Sequence, residues 1–153
     1  MNREVLSYKQ RLDNLFVRVD GFYGDEELQA HLARYLCIIV CGFLENSLRA
    51  IYGEYAQNKS HRNVANFVDN QLNRFMNPNM ERILNLAGKF SQAWRIELEN
   101  LTKEKIKESV DSLVANRNQI AHGADVGITI RSMKRQYDDI VKLVMTIEKQ
   151  CNN

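Results

Sequence analysis

The stretch 25–57 most constrains what this chain can fold into. Leu28, Leu32, Tyr35, Leu36, Ile39, Val40, Phe43, Leu44, Leu48, Ile51 and Tyr52 recur within it at three- and four-residue steps, the spacing of one broad helical face. No proline interrupts it. At a rise of 1.5 Å per residue such a helix spans roughly 50 Å, so shorter helices must line up along it. Its middle is apolar nearly all round, which requires burial on several sides. Gly42 gives room there for a close helix contact, and Asp25 is placed to cap the start. Glu45 and Arg49, four apart, are spaced for an exposed ion pair.

The remaining segments repeat the helical pattern. Residues 2–20 carry Val5, Leu6, Tyr8, Leu12, Leu15, Phe16 and Val19 on one stripe. Gly21-Phe22-Tyr23-Gly24 then reads as a break. Ser60 is expected to cap a third helix over 60–75, with Val64, Phe67, Val68 and Leu72 inward and His61 and Arg62 in its first turn. Asn77-Pro78-Asn79 breaks it, and a shorter helix follows over 79–90. Residues 91–101 fit either a helix or a covering loop, with Trp94 as a core plug. Thr102 is expected to cap a helix that runs to Gly123, and Thr129 to open a last one to about Gln150. Strand-like alternation never persists. The expectation is an all-α, up-and-down bundle of five or six helices, one domain over 1–153.

Composition narrows the partners little. Twenty-one basic and nineteen acidic residues leave a net charge of +2, too small to require a nucleic acid. Three cysteines are an odd count and argue against a disulfide framework. Cys37 and Cys41 share a helix face inside an apolar run and read as packed core thiols. No Cys or His pair has zinc-like spacing, so neither a metal nor another cofactor is expected. Without a run of about 18 apolar residues or a signal-like start, no membrane partner is expected and the cytoplasm is the default location.

One stretch carries chemistry: Arg117-Asn118-Gln119-Ile120-Ala121-His122-Gly123. Asn118 and His122, four apart, share a helix face. Arg117 diverges from His122 by about 140° on a regular helix and must curl round to meet them. Gly123 is a natural helix stop. His suits proton transfer near neutral pH, and Arg holds phosphate oxygens in a two-pronged fork. Together they match cleavage of an RNA phosphodiester: a base takes the 2′-hydroxyl proton, that oxygen attacks phosphorus, and the cation stabilises the growing charge. The leaving 5′-oxygen also needs a proton donor. One His cannot flank both sides of an in-line displacement, so the mechanism calls for a two-fold dimer. The plain alternative is a helix terminus where His faces the helix dipole.

This stretch resembles the Arg, four to six residues, His signature of the HEPN superfamily, in which a polar residue such as Asn118 often follows the Arg. The long helix around Glu45 is similar to that family's early helix, where an acidic residue often accompanies the site. The chain looks closest to small bacterial members of the RiboL-PSP-HEPN or MAE-type groups. The resemblance implies a homodimeric helical bundle and a metal-independent endoribonuclease of toxin–antitoxin or anti-phage systems. RNA is then the substrate, and a cognate antitoxin or regulatory protein a further partner. Arg117 and His122 become the catalytic pair, with Asn118 assisting and Glu45 supporting. The other reading is a non-catalytic HEPN module that holds a nucleotide or a partner.

Overall fold

The structure is a computed structural model that describes residues 1–22 and 24–153. The expected break at 21–24 contains Tyr23, which lies outside the described residues. Among those residues the chain forms seven helices and no strand: α1 (Arg3–Asp20), α2 (Glu26–Lys59), α3 (Arg62–Leu72), α4 (Met80–Phe90), α5 (Gln92–Leu101), α6 (Lys105–Ala121) and α7 (Ile130–Asn152). The all-α class holds. The count exceeds the expected five or six because the ambiguous stretch is helical, as α5.

The spine is α2, packed against α1, α3, α6 and α7. Leu36, Leu44, Leu48 and Tyr52 on it are wholly buried, each contributing about 1.5–3 kcal/mol of transfer free energy. An 18-residue window of α2 has mean hydropathy 1.4, so by length and composition it is apolar enough to cross a membrane; 61% of that window is buried inside the bundle. The helix still holds no uninterrupted run of 18 apolar residues. Asp25 caps α2 as expected, its carboxylate accepting the Leu28 N–H at 2.8 Å. Leu28 and Tyr35, expected on the inward face, are exposed; Tyr35 opens onto a cavity shared with Tyr8, Arg11 and Leu15 of α1. Gly42 makes no close contact: a Cβ there would meet nothing within 4 Å.

Polar and aromatic contacts tie the C-terminal part of the spine to its neighbours and α1 to α7. The Asn2 carboxamide accepts the Glu4 and Val5 N–H groups and donates to Glu54 at 2.8 Å, while the Asn2 N–H bonds Glu148 of α7. Further along, the Tyr137 hydroxyl donates to Asp13 at 2.7 Å, and the Phe16 and Tyr137 rings stack at 5.0 Å. Trp94 is half-buried among Tyr52, Tyr55 and Phe90, which fastens the α4–α5 elbow to α2 and agrees with its reading as a packing residue.

Two expected caps belong to the preceding helix instead. Ser60 ends α2, its hydroxyl donating to the Ala56 carbonyl at 2.7 Å, and His61 caps α3 by accepting the Asn63 N–H. Thr102 ends α5, donating to the Leu98 carbonyl at 2.7 Å. Helix α6 starts after Glu104, whose φ is +59° and whose side chain caps nothing. A Ser or Thr hydroxyl can return to the carbonyl four residues back as readily as it caps forward, and spacing alone does not separate the two. Helix α3 is also shorter and rotated from expectation. Ala65 and Leu72 are its buried residues, whereas Val64 and Phe67 are 52% and 64% exposed. Gly53 of α2 leaves room for the approach of α3: a Cβ there would stand 3.1 Å from the Asp69 carboxylate and 3.9 Å from Leu72.

The three cysteines are free and buried, as packed thiols should be. Burial, helped by the neighbouring Cys41 thiol, pushes Cys37 up to about 12. Burial also pushes Cys41 up to about 11.

Candidate active site at the end of helix α6

Helix α6 ends in a Schellman turn. The Gly123 N–H bonds the Ile120 carbonyl at 3.0 Å, and the Ala124 N–H bonds the Gln119 carbonyl at 2.9 Å. This paired pattern needs a left-handed residue after the cap, and Gly123 supplies it at φ +76°. His122 is the cap residue itself, its own N–H still directed at the carbonyls of Asn118 and Gln119. Its backbone is therefore fixed from both sides. Its side chain is exposed, and among the described residues no hydrogen bond within the chain engages the imidazole. Just downstream, Asp125 pairs with Arg34 of α2 and ties the outgoing loop to the spine.

Arg117, one turn earlier, is half-buried. Its Nη1 donates to the Asn118 carboxamide at 3.2 Å and to the Asn77 carboxamide at 3.4 Å. Arg117 thus reaches Asn118, but among the described residues no bond joins it to His122, so the expected meeting of all three groups is present only for the first two. The guanidinium also reaches the spine electrostatically, since its charge offsets part of what burial does to Cys37 and Cys41. Arginine carries five N–H donors. Among the described residues no bond within the chain uses Nε or Nη2 of Arg117, so the outer prongs are available to an anion.

Asn77 was read only as part of a helix break. It sits at φ +53° immediately before Pro78, with its carbonyl accepting the Asn79 N–H at 2.8 Å. Asn tolerates the left-handed region better than other residues with a Cβ. The signal available in the sequence was an Asn preceding the chain's single proline; its pairing with a residue forty positions later had none.

Glu45 lies one step removed. Its carboxylate accepts from Arg49 at 2.8 Å, and no bond joins it to Arg117 or His122. Arg49 in turn donates to the Leu72 carbonyl at 3.1 Å and the Phe75 carbonyl at 2.8 Å. This pair is largely enclosed rather than exposed, at 18% and 28% side-chain accessibility for Glu45 and Arg49. The pair closes the C-terminal end of α3, where arginine satisfies otherwise orphan carbonyls. The link between α3 and α4 is thereby held at two points: Arg49 grips Phe75, and Arg117 grips Asn77.

The geometry brings Arg117, Asn118 and Asn77 together and sets His122 at the same helix end with a free ring. A fixed cation and an exposed imidazole at one helix end are the groups that can bind a phosphoryl oxygen and move a proton. Among the described residues no group of three or more His, Cys, Asp or Glu side chains converges. No curated protein and no solved structure gives a significant match to the chain. A family model described as RiboL-PSP-HEPN matches residues 2–153, nearly the whole chain. That span covers the seven-helix fold as well as the Arg–His helix end, and on this ground the chain belongs to the RiboL-PSP-HEPN family.

Proposed function

We propose that this protein is an endoribonuclease that cuts RNA through attack of the 2′-hydroxyl, without a metal, as a toxin or anti-phage effector. HEPN domains are often ribonucleases. The observation that carries the reading is the Arg117 guanidinium, steadied by two carboxamide oxygens, one turn before an exposed His122 in a fixed turn. In the proposed reaction His122 takes the 2′-hydroxyl proton, and Arg117 stabilises charge on the non-bridging phosphate oxygens. Asn118 orients Arg117. Glu45 acts at a distance, through Arg49 and the α3–α4 link. A second copy of the chain, related by two-fold symmetry, supplies the imidazole that protonates the leaving 5′-oxygen.

The test is incubation of the purified protein with total RNA in EDTA, with the cut ends mapped. Expected are 2′,3′-cyclic phosphate ends and loss of at least about a hundredfold in rate for His122→Ala at unchanged helicity. Cutting that persists in His122→Ala removes the role given to that residue. A mixture of Arg117→Ala and His122→Ala protomers distinguishes a shared site from two separate ones.

A further inference from the structure

A second feature lies between helices α4 and α5. A cavity of about 640 Å³ is lined by Arg82, Lys89 and Arg95 together with Phe75, Asn85 and Gln92. Three cations face one space, and the acid bonded to any of them is Glu81, paired with Arg95 at 3.0 Å. Arg82 and Lys89 make no ion pair among the described residues.

The placement follows from helix geometry. Arg82, Asn85 and Lys89 fall at three- and four-residue steps on α4, so they form one exposed stripe about 10 Å long. Arg95 comes from α5 across the elbow, held by Asn85 as well as Glu81. Gly88 lets the elbow close: a Cβ there would stand 3.3 Å from the Arg95 side chain. The first turn of α5, to which Gln92 belongs, has no side-chain cap from Ser91. Its free N–H groups add a weak preference for negative charge.

The cavity is continuous in sequence and bonding with the α6 end. Phe75 lines it, the Phe75 carbonyl is gripped by Arg49, and Asn77, two residues on, accepts from Arg117. Helix α4 also starts against α6, the Met80 N–H bonding Asp111 at 2.8 Å. A chain of phosphates engaged at Arg117 therefore meets a cationic stripe leading away along α4. Phe75 and two carboxamides beside the cations suit a nucleotide strand better than an isolated anion, since bases stack on aromatic rings while cations hold the backbone.

We propose that the α4–α5 groove of Arg82, Lys89 and Arg95 is a track for the phosphates of single-stranded RNA flanking the cut position. The proposal rests on the ribonuclease reading for its choice of ligand, but it is tested without turnover. The probe is a fluorescent 2′-O-methyl oligouridine of about a dozen nucleotides, which has no free 2′-hydroxyl to attack. Anisotropy titrations of the full chain at several salt concentrations give affinity and salt slope. The variant Arg82→Gln/Lys89→Gln leaves Arg95 and its bonds in place. The control Arg131→Gln/Arg135→Gln removes the same charge from the exposed face of α7.

The expected result is a loss of at least about tenfold in affinity for the groove variant, with the salt slope smaller by about 1.4 for two lost phosphate contacts. The control should lose less than about threefold. Equal losses in the two variants would reduce the effect to net charge and overturn the proposal. So would oligomer binding that ignores the groove variant, or groove-dependent binding of ATP without binding of the oligomer. If the oligomer binds through the groove yet no RNA is ever cut, the track stands and the catalytic reading falls.

Discussion

Arg117 donates to the carboxamide of Asn77 at 3.4 Å, across forty residues of sequence. The acceptor sits at φ +53°, so one residue combines an uncommon backbone conformation with a bond to the candidate catalytic cation. The two properties can be separated by substitution. Asn77→Gly keeps the backbone conformation cheap and removes the carboxamide. It should leave Tm nearly unchanged while kcat/KM for RNA falls by about tenfold, or about 1.4 kcal/mol. Asn77→Ala should show the same kinetic loss plus a destabilisation of about 1–2 kcal/mol. Full activity in Asn77→Gly would show that Asn118 alone orients Arg117.

The turn at Gly123 offers a purely conformational test. A Cβ there meets nothing within 4 Å, yet φ is +76°. Gly123→Ala should cost about 1 kcal/mol and lower Tm by about 2–4 °C for a chain of this size, with Gly123→Asn costing less. Because the Schellman bonds fix His122, any ribonuclease activity should fall more than the change in folded fraction explains. An unaltered rate would mean that the position of His122 does not depend on the turn.

Arg49 and Glu45 distinguish support from chemistry. Arg49→Met strands the carbonyls of Leu72 and Phe75 and leaves the partly enclosed Glu45 carboxylate alone. A loss of about 2–3 kcal/mol in urea unfolding is expected. Glu45→Gln retains a hydrogen-bonding oxygen and should cost about 1 kcal/mol. A Glu45→Gln protein of full stability that no longer cuts RNA would instead move Glu45 into the reacting centre.

The buried thiols predict alkaline behaviour. Burial raises Cys37 and Cys151 to about 12 and Cys41 to about 11, from an ordinary value of 9.0. The folded state keeps these protons while the unfolded chain gives them up. Stability is thus fully present below pH 9.0 and is lost as pH rises from there toward about 12. Urea midpoints measured upward from pH 8.5 should fall in wild type and fall less in a Cys37→Ala/Cys41→Ala/Cys151→Ala protein. Alkylation of native protein should be slow at the lower end of that range.

Much of the fold was legible because helical periodicity is local. The apolar stripes of α2 and α7 and the caps at Asp25 and Thr129 involve residues within four positions of one another, and sequence displays such relations directly. Ser60 and Thr102 misled because one hydroxyl serves either the helix behind it or the one ahead. The orientation of α3 depends on where Asp69 and Leu72 come up against Gly53 of α2, which no single stripe records. At the site, Arg117, Asn118 and His122 stood out through chemistry and spacing. Asn77 and Arg49 did not, since their partners are set by where the α3–α4 link lands.

Side-chain bonds from Lys105 and Ser109 to Asp139 hold the first turns of helix α6 against α7, but its two ends are finished differently. It begins without a side-chain cap, after Glu104 at φ +59°, and it finishes in paired turn bonds followed by the Arg34–Asp125 tether. Its downstream end is therefore the datum from which the position of Arg117 and His122 is measured. Added or deleted residues between α5 and α6 would be taken up at an end that is already irregular. The same change between Gly123 and Thr129 would displace the datum itself. Length variation within this family should accordingly be tolerated ahead of α6 and resisted behind it.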